Sequence, residues 1–361
     1  MKNSKRILVS PLDWGLGHAT RCVPIIRSLL GKGAEVVVAS SGRAAFFLRQ
    51  EFPGLQHVDL PDYNVRYADR GRLAWKILHQ SPRLLRTISS EHRVLDDMIG
   101  QYGLHAVISD NRFGMWSGRI PSIYITHQLG VRSLAGIWFS GPFISKMHRR
   151  FIRHFDECWI PDDENQGGLS GELSHGQACP VPAFFIGPLS RFNPPTSGHQ
   201  TNRHEVMAMI SGPEPQRSIF ETIVLKGLRE AGLRSLVLLG KPEEEQVRSL
   251  EDNITILTHS STAEMQEALL TSELVLCRSG YSSIMDLAVL GCRAVLVPTP
   301  GQTEQEYLAG YHQQKHHYYT MSQAEFDIQG LLQASRNYPG LHHHGERGSL
   351  DKRLDVLLGR L

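Results

Sequence analysis

Short runs rich in Val, Ile and Leu alternate along the chain with longer stretches in which apolar residues recur every three or four positions. That alternation predicts parallel sheets with helices on both faces. In the first half, Arg6–Ser10, Glu35–Ser40, Gln56–Leu60, Ala106–Asp110, Ser122–Thr126 and Cys158–Pro161 read as strands, and His18–Gly31, Arg43–Glu51, Arg83–Gly100 and Phe143–Phe155 as helices. From Asp162 to Gln200 the pattern lapses into Gly, Pro, Ser and Asn, with one extended island at Ala183–Pro188 and a break at Asn193-Pro194-Pro195. It then restarts with strands Glu205–Ser211, Ser235–Leu239, Ile254–Thr258, Leu274–Cys277 and Ala294–Pro298, and with helices Gln216–Ala231, Ala263–Thr271 and Tyr281–Leu290. Gln323–Ala334 and Asp351–Leu361 read as helical, with a loop around Pro339-Gly340 and His342-His343-His344.

A chain of 361 residues exceeds the roughly 100–200 residues of one typical domain. The expected organisation is therefore two Rossmann-like, doubly wound α/β domains facing across a cleft: an N-terminal domain over 1–185, a linker over 186–200, and a C-terminal domain over 201–361 whose last helix packs back on the first. Open sheets of this kind bind ligands at the carboxyl ends of their strands. Lys+Arg 38 against Asp+Glu 36 leaves a net charge of +2, which supplies no field to hold a polyanion, so no nucleic acid is expected as a partner. Five cysteines, odd in number and without a C-x-x-C pair, read as reduced core thiols, not as disulfides or a zinc site. Ile7-Leu8-Val9 ends at Ser10-Pro11 before a signal-peptide core forms, and the longest apolar stretch, Ile284–Val297, contains Asp286 and Arg293, so a cytoplasmic location is expected.

Trp14-Gly15-Leu16-Gly17-His18 lies between the first strand and the first helix, where Gly15 and Gly17 permit a tight turn beside a ligand. As a dinucleotide fingerprint it fails: Thr20 replaces the third glycine, and Ala39-Ser40-Ser41 stands where the ribose-binding acid belongs. His18 has a side chain whose ordinary pKa of about 6.5 suits a general base, and Asp110, at a strand end, is a candidate to orient it. Helix capping or simple packing by His18 and Asp110 remains the alternative from local sequence.

The most informative stretch is Cys277-Arg278-Ser279-Gly280-Tyr281-Ser282-Ser283-Ile284-Met285-Asp286, a strand, a turn of small residues and a helix. Ser279-Gly280 would aim a helix N-terminus at an anion such as a diphosphate. Asp286 is placed to accept hydrogen bonds from a ribose diol, and Gln302, Gln305 and Glu306 to reach sugar hydroxyls. These residues resemble the donor site of the MurG-like, GT-B glycosyltransferases, whose C-terminal domain binds a UDP-sugar. Their arginine-serine-glycine turn matches Arg278-Ser279-Gly280, their ribose carboxylate falls on Asp286, a Gln-Gln pair falls on Gln305 and Glu306, and Met265 falls beside the uracil site. The glycine loop with His18 resembles theirs too. Ser211-Gly212-Pro213-Glu214-Pro215-Gln216-Arg217 departs from the family's phosphate loop: Pro213 and Pro215 each lack an N–H, so Gly212 and Arg217 are the remaining candidates there.

The resemblance implies inverting transfer of a hexose or N-acetylhexosamine from a UDP-sugar to a sugar- or lipid-linked acceptor, with His18 as base, no metal and no cofactor. No Asp-x-Asp pair occurs in the chain. A UDP-sugar epimerase of the same fold and a non-catalytic nucleotide-sugar or glycan-binding regulator are the alternatives. Acceptor specificity is assigned to the loops Asp62–Arg72 and Arg112–Trp116. Trp138–Arg153, which mixes aromatic residues with cations, reads as a domain helix with a solvated basic face, or as a peripheral contact with the inner face of a membrane. His316-His317 and His342-His343-His344 read as surface residues.

Overall fold

A computed structural model describes residues 4–61, 73–130, 140–165, 167–195, 203–251, 253–343 and 348–361, with backbone alone over 73–84 and 140–143. The chain forms two compact units, Met1–Leu189 with Gly345–Leu361, and Ser190–His344.

The first unit contains β1 (Arg6–Pro11), α1 (Leu16–Gly31), β2 (Glu35–Ser40), α2 (Gly42–Glu51), β3 (Gln56–Asp59), α3 (Leu73–Tyr102), β4 (Ala106–Asp110), β5 (Ser122–Ile125), α4 (Ser140–Ile152), β6 (Glu157–Ile160) and β7 (Ala183–Phe185). Its seven strands are all parallel, in the order β3-β2-β1-β4-β5-β6-β7. The centre of this sheet is covered on both faces, which is why β4, β5 and β6 are buried at every position and carry the apolar runs Ala106–Ile108, Ile123–Ile125 and Cys158–Ile160. The order reverses beside β1, whose carboxyl end therefore opens onto the crevice where ligands bind in such sheets.

The second unit contains β8 (His204–Met209), α5 (Gln216–Ala231), β9 (Ser235–Leu238), β10 (Arg248–Glu251), β11 (Ile254–Leu257), α6 (Thr262–Leu270), β12 (Ser272–Cys277), α7 (Tyr281–Leu290), β13 (Ala294–Leu296), α8 (Thr303–Gln314), β14 (Tyr319–Thr320) and α9 (Ile328–Ala334). The order is β10-β11-β9-β8-β12-β13-β14, parallel except where β10 runs against β11. Val206, Ala208, Phe220, Val224, Leu276 and Val295 form its core. Local chemistry sets the helix ends. Ser261 caps α6 in a reciprocal capping box with Glu264, and Gly291 ends α7 in the left-handed conformation that a side chain disfavours.

A last helix, α10 (Ser349–Gly359), belongs to the first unit. It buries Leu354 and Leu357, and Ser28, Lys32 and Glu157 bind its Asp351, Asp355, Arg353 and Arg360.

Four features differ from the sequence reading. The second unit begins at Ser190, not 201, while the chain's end returns to the first unit as expected. Helix α3 runs from Leu73 to Tyr102 through Pro82, starting ahead of the expected Arg83. The edge strand β10 carries mostly polar residues and an exposed Leu250, so it lacks a burial signal. Helix α8 follows Pro300-Gly301 with a weakly amphipathic pattern and was not expected. The five cysteines are unpaired and all but Cys179 are buried. The histidines read as surface are partly inside: His317 is half-buried and its Nδ1 lies 3.0 Å from Nδ1 of buried His312. His344 and the loop Asp62–Arg72 lie outside the described residues, as do Trp138 and Phe139.

Candidate active site

The first cluster stands at the carboxyl ends of β1 and β4. Gly15 has φ +105, so the chain leaves β1 in a conformation that only glycine adopts without strain, and α1 starts one residue later. His18, in the first turn of α1, therefore faces Asp110 at the end of β4, with Nδ1 3.2 Å from Oδ1. One turn on, Arg21 grips both Asp110 oxygens through Nε and Nη2 and places Nη2 2.7 Å from His18 Nδ1. Its Nη1 lies 3.3 Å from Nδ1 of His127, which follows β5. Asp110 is fully buried and Arg21 nearly so, while His18 keeps 16% of its side chain exposed.

Burial by itself would raise the pKa of Asp110, but the Arg21 and His18 charges and hydrogen bonds outweigh it and hold the carboxyl at about 2. His18 is pushed below its ordinary value, first by burial and then by Arg21, against the opposing pull of Asp110. It is therefore a neutral imidazole at neutral pH. Its Nε2 has no partner among the described residues, which leaves that edge available to a substrate oxygen.

Of the loop Arg112–Trp116, the structure makes a support instead of an acceptor surface. Arg112 is buried and bound to Glu91, Ser41 Oγ and the Pro11 carbonyl, the last at 2.8 Å. Trp116 is stacked between His92 and His154, with ring centroids 4.1 and 4.3 Å away.

The second cluster, in the Ser190–His344 unit, stands around the turn before α7. Arg278 is 1% exposed and lies over the Phe220 ring. Its terminal nitrogens donate to the carbonyls of Val297, Pro298 and Gln216 at 3.0–3.2 Å and to Gln323 Oε1 at 2.6 Å. Burial lowers its pKa to about 10, so it stays charged. Four of its N–H bonds are thus spent on holding the turn, and only Nε is buried without a partner. Thr299 Oγ1 is likewise buried and unpartnered. Both atoms face Gly212, at φ +116: a Cβ placed there would meet Thr299 Oγ1 at 3.6 Å and Arg278 Nε at 4.0 Å.

Ser279 Oγ donates to the Gln305 carbonyl at 2.8 Å and ties the turn to α8, while Gly280 starts α7 with no side-chain cap. Gln305 Oε1 accepts from the Thr299 N–H and Glu306 Oε1 from the Gly301 N–H, both at 2.9 Å, and Gln302 is the residue from which α8 starts. Asp286 is 8% exposed and accepts from Ser190 Oγ at 2.6 Å. Burial raises its pKa to about 6, opposed by Arg191 and Ser190. Met265 lies under Arg191, which donates to its sulfur. Arg217 directs its terminal nitrogens at Glu214, Glu221 and the Leu239 carbonyl, and its Nε is buried without a partner.

Sequence reasoning missed Arg21, His127, Ser190, Arg191 and Thr299. Arg21 had a signal, since residues three apart on a helix share a face and His18 is its i−3 neighbour. Thr299 and His127 had none beyond lying just after apolar strands. Among the described residues no group of three or more His, Cys, Asp or Glu stands close enough to hold a metal ion, and no helix is long and apolar enough to cross a membrane.

Two doubly wound units, one with a histidine at the first βα turn and the other with buried donors over a glycine loop, are the arrangement of a GT-B glycosyltransferase. Residues 218–338 match the glycosyltransferase family 28 C-terminal domain. The UDP-N-acetylglucosamine–N-acetylmuramyl-(pentapeptide) pyrophosphoryl-undecaprenol N-acetylglucosamine transferase of Rhodopseudomonas palustris is 27% identical over 292 residues, covering 78% of this chain and 74% of that one. Acinetobacter baumannii MurG superposes with a TM-score of 0.55 at 12% identity, over 98% of this chain and 99% of that one. Phytolacca americana UGT2, solved with UDP-2fluoro-glucose and pterostilbene, gives 0.65 at 14% identity over the whole of both chains. The chain is a glycosyltransferase with the GT-B fold, and its residues 218–338 carry a glycosyltransferase family 28 C-terminal domain.

Proposed function

We propose that the chain transfers a hexose or N-acetylhexosamine from a UDP-sugar to a sugar- or lipid-linked acceptor of the cell envelope, with inversion and without metal or cofactor. The observation that carries the donor half is the pair of unpartnered buried donors, Arg278 Nε and Thr299 Oγ1, facing a glycine with no side chain between them. Buried polar atoms are almost always satisfied, so two orphans facing one gap mark the seat of an anionic oxygen. The donor diphosphate supplies such oxygens, and the start of α7 adds a favourable dipole. Asp286 would hold the ribose diol, exchanging its bond from Ser190 for the substrate's. Gln302, Gln305 and Glu306 would line the sugar.

In this reading His18 Nε2 accepts the proton of the acceptor hydroxyl, the oxygen attacks the anomeric carbon from the face opposite UDP, and the C–O bond to UDP breaks. The imidazolium that forms lies against the Asp110 carboxylate. The related transferase of Rhodopseudomonas palustris carries an undecaprenol acceptor in its name, which supports a lipid-linked acceptor here and a position at the inner membrane face.

Turnover assayed as UDP release from UDP-hexoses and UDP-N-acetylhexosamines, with EDTA and a panel of glycan and polyprenyl-linked acceptors, tests the proposal. Replacing His18 with Ala is expected to lower kcat about 10²–10⁴-fold with UDP affinity unchanged. Undiminished turnover in that variant would remove His18 as base. Conversion of one UDP-sugar into another without acceptor would identify an epimerase instead.

A further inference from the structure

His18 Nδ1 meets two groups that make opposite demands on it. The Asp110 carboxylate, 3.2 Å away, only accepts, whereas Arg21 Nη2, 2.7 Å away, only donates. A single ring nitrogen cannot serve both. As an N–H it donates to Asp110 and leaves a lone pair on Nε2, the state a base requires. As a lone pair it accepts from Arg21 and places the hydrogen on Nε2. The shorter contact is the one to Arg21, and Asp110 already has both oxygens engaged by that same guanidinium. The carboxylate that would orient the imidazole is thus half of a closed, buried ion pair.

We propose that Arg21 is a positioning residue that holds the resting His18 ring with Nδ1 as acceptor and its hydrogen on Nε2, so that the base is armed only when Arg21 leaves Nδ1 to Asp110. Arming moves no net charge: Nδ1 takes one proton from solvent water and Nε2 returns one to it at the exposed edge of the ring. Until then Nε2–H offers a hydrogen bond to an entering oxygen but takes no proton from it. The inference rests on the reading of His18 as the base.

The charged and titratable groups around the ring, among the described residues, come from three elements. Arg21 and Cys22 share α1 with it, Asp110 ends β4, and His127 follows β5. Burial and Asp110 keep the Cys22 thiol protonated. Arg21 is therefore the one fixed positive charge against the ring, and it cancels the single negative one.

The test is nitrogen NMR of the full-length protein with ¹⁵N-labelled histidine, between pH 5 and 9, with the His18 signals identified by their loss in His18→Gln. The expected result for the wild type at neutral pH is an uncharged ring with bare Nδ1 and protonated Nε2. In Arg21→Gln the hydrogen should move to Nδ1, and the ring should bind protons at least about tenfold more tightly, since Asp110 then acts on it uncompensated. A wild-type ring with its hydrogen on Nδ1 would overturn the proposal, as would an Arg21→Gln ring unchanged in tautomer and titration. Should Arg21→Gln fail to fold around an unpaired Asp110, the wild-type tautomer alone decides. Failure of the base reading is separately visible, as full turnover in His18→Ala.

Discussion

At the residue scale, the candidate carboxylates of the two clusters, one in each unit, are shifted in opposite directions, each for its own physical reason. Asp110 is paired, so its pKa falls to about 2 from 3.8; the stability it contributes is present above about pH 4 and lost as pH falls through 2. Asp286 is buried without a full ion pair, so its pKa rises to about 6 from 3.8; between those values the folded state binds more protons than the unfolded chain, and stability from this group declines as pH rises through 6. Asp286→Asn should therefore stabilise the ligand-free protein at pH 8, on the order of 1–3 kcal/mol, and have little effect at pH 4. The same change should weaken UDP binding about tenfold or more, because a charged acceptor is lost. Urea unfolding at the two pH values, with UDP titration alongside, checks both. A destabilising effect at pH 8 would mean that the carboxylate serves the fold and not the ligand. His18, Asp110 and Asp286 were legible in the sequence because a glycine loop, a strand end and a helix turn fix where they stand. Arg278 was legible as a member of the turn but not in its use, since nothing local shows that three carbonyls and Gln323 occupy its terminal nitrogens.

At the element scale, the support beneath the first cluster is a buried ion pair. Glu91 from α3 binds Arg112 after β4, and Arg112 also holds the Pro11 carbonyl at the end of β1 and Ser41 before α2. Glu91 further accepts from the Gly114 N–H, and a Cβ on Gly114 would fall within 2.6 Å of the Glu91 Cβ. Removing one partner strands the other charge in the interior, so Glu91→Gln should destabilise the first unit by about 3–5 kcal/mol. A shift under about 1 kcal/mol in chemical denaturation would show that water reaches Arg112. Elements whose residues follow burial, such as β1, β4 and α7, were readable from periodicity. Helix α8 was not, because its tie to the site runs through Gln305 and Glu306 to backbone N–H groups of the preceding turn, a contact between polar atoms that leaves no hydrophobic period.

At the scale of the whole molecule, the two-unit architecture follows from the lapse in periodicity after β6, but the exact partition does not. The periodicity lapses from Asp162, yet Asp162 binds the N–H groups of Leu169 and Ser170 at 2.7 and 2.9 Å and fastens that loop to the first unit. Similarly, only the apolar face of α10 and its charges hint at a destination, and these meet Glu157 and α1. Donor binding depends most directly on the proposed seat over Gly212. Its test is calorimetric titration of the full-length protein, in EDTA, with UDP, UDP-sugars, GDP, dTDP and NAD, repeated on Thr299→Val and Gly212→Ala. The predicted result is selective binding of UDP and a UDP-sugar, weakened at least tenfold, about 1.4 kcal/mol, in both variants. Absence of uridine nucleotide binding in the wild type, or undiminished affinity in both variants, would contradict it.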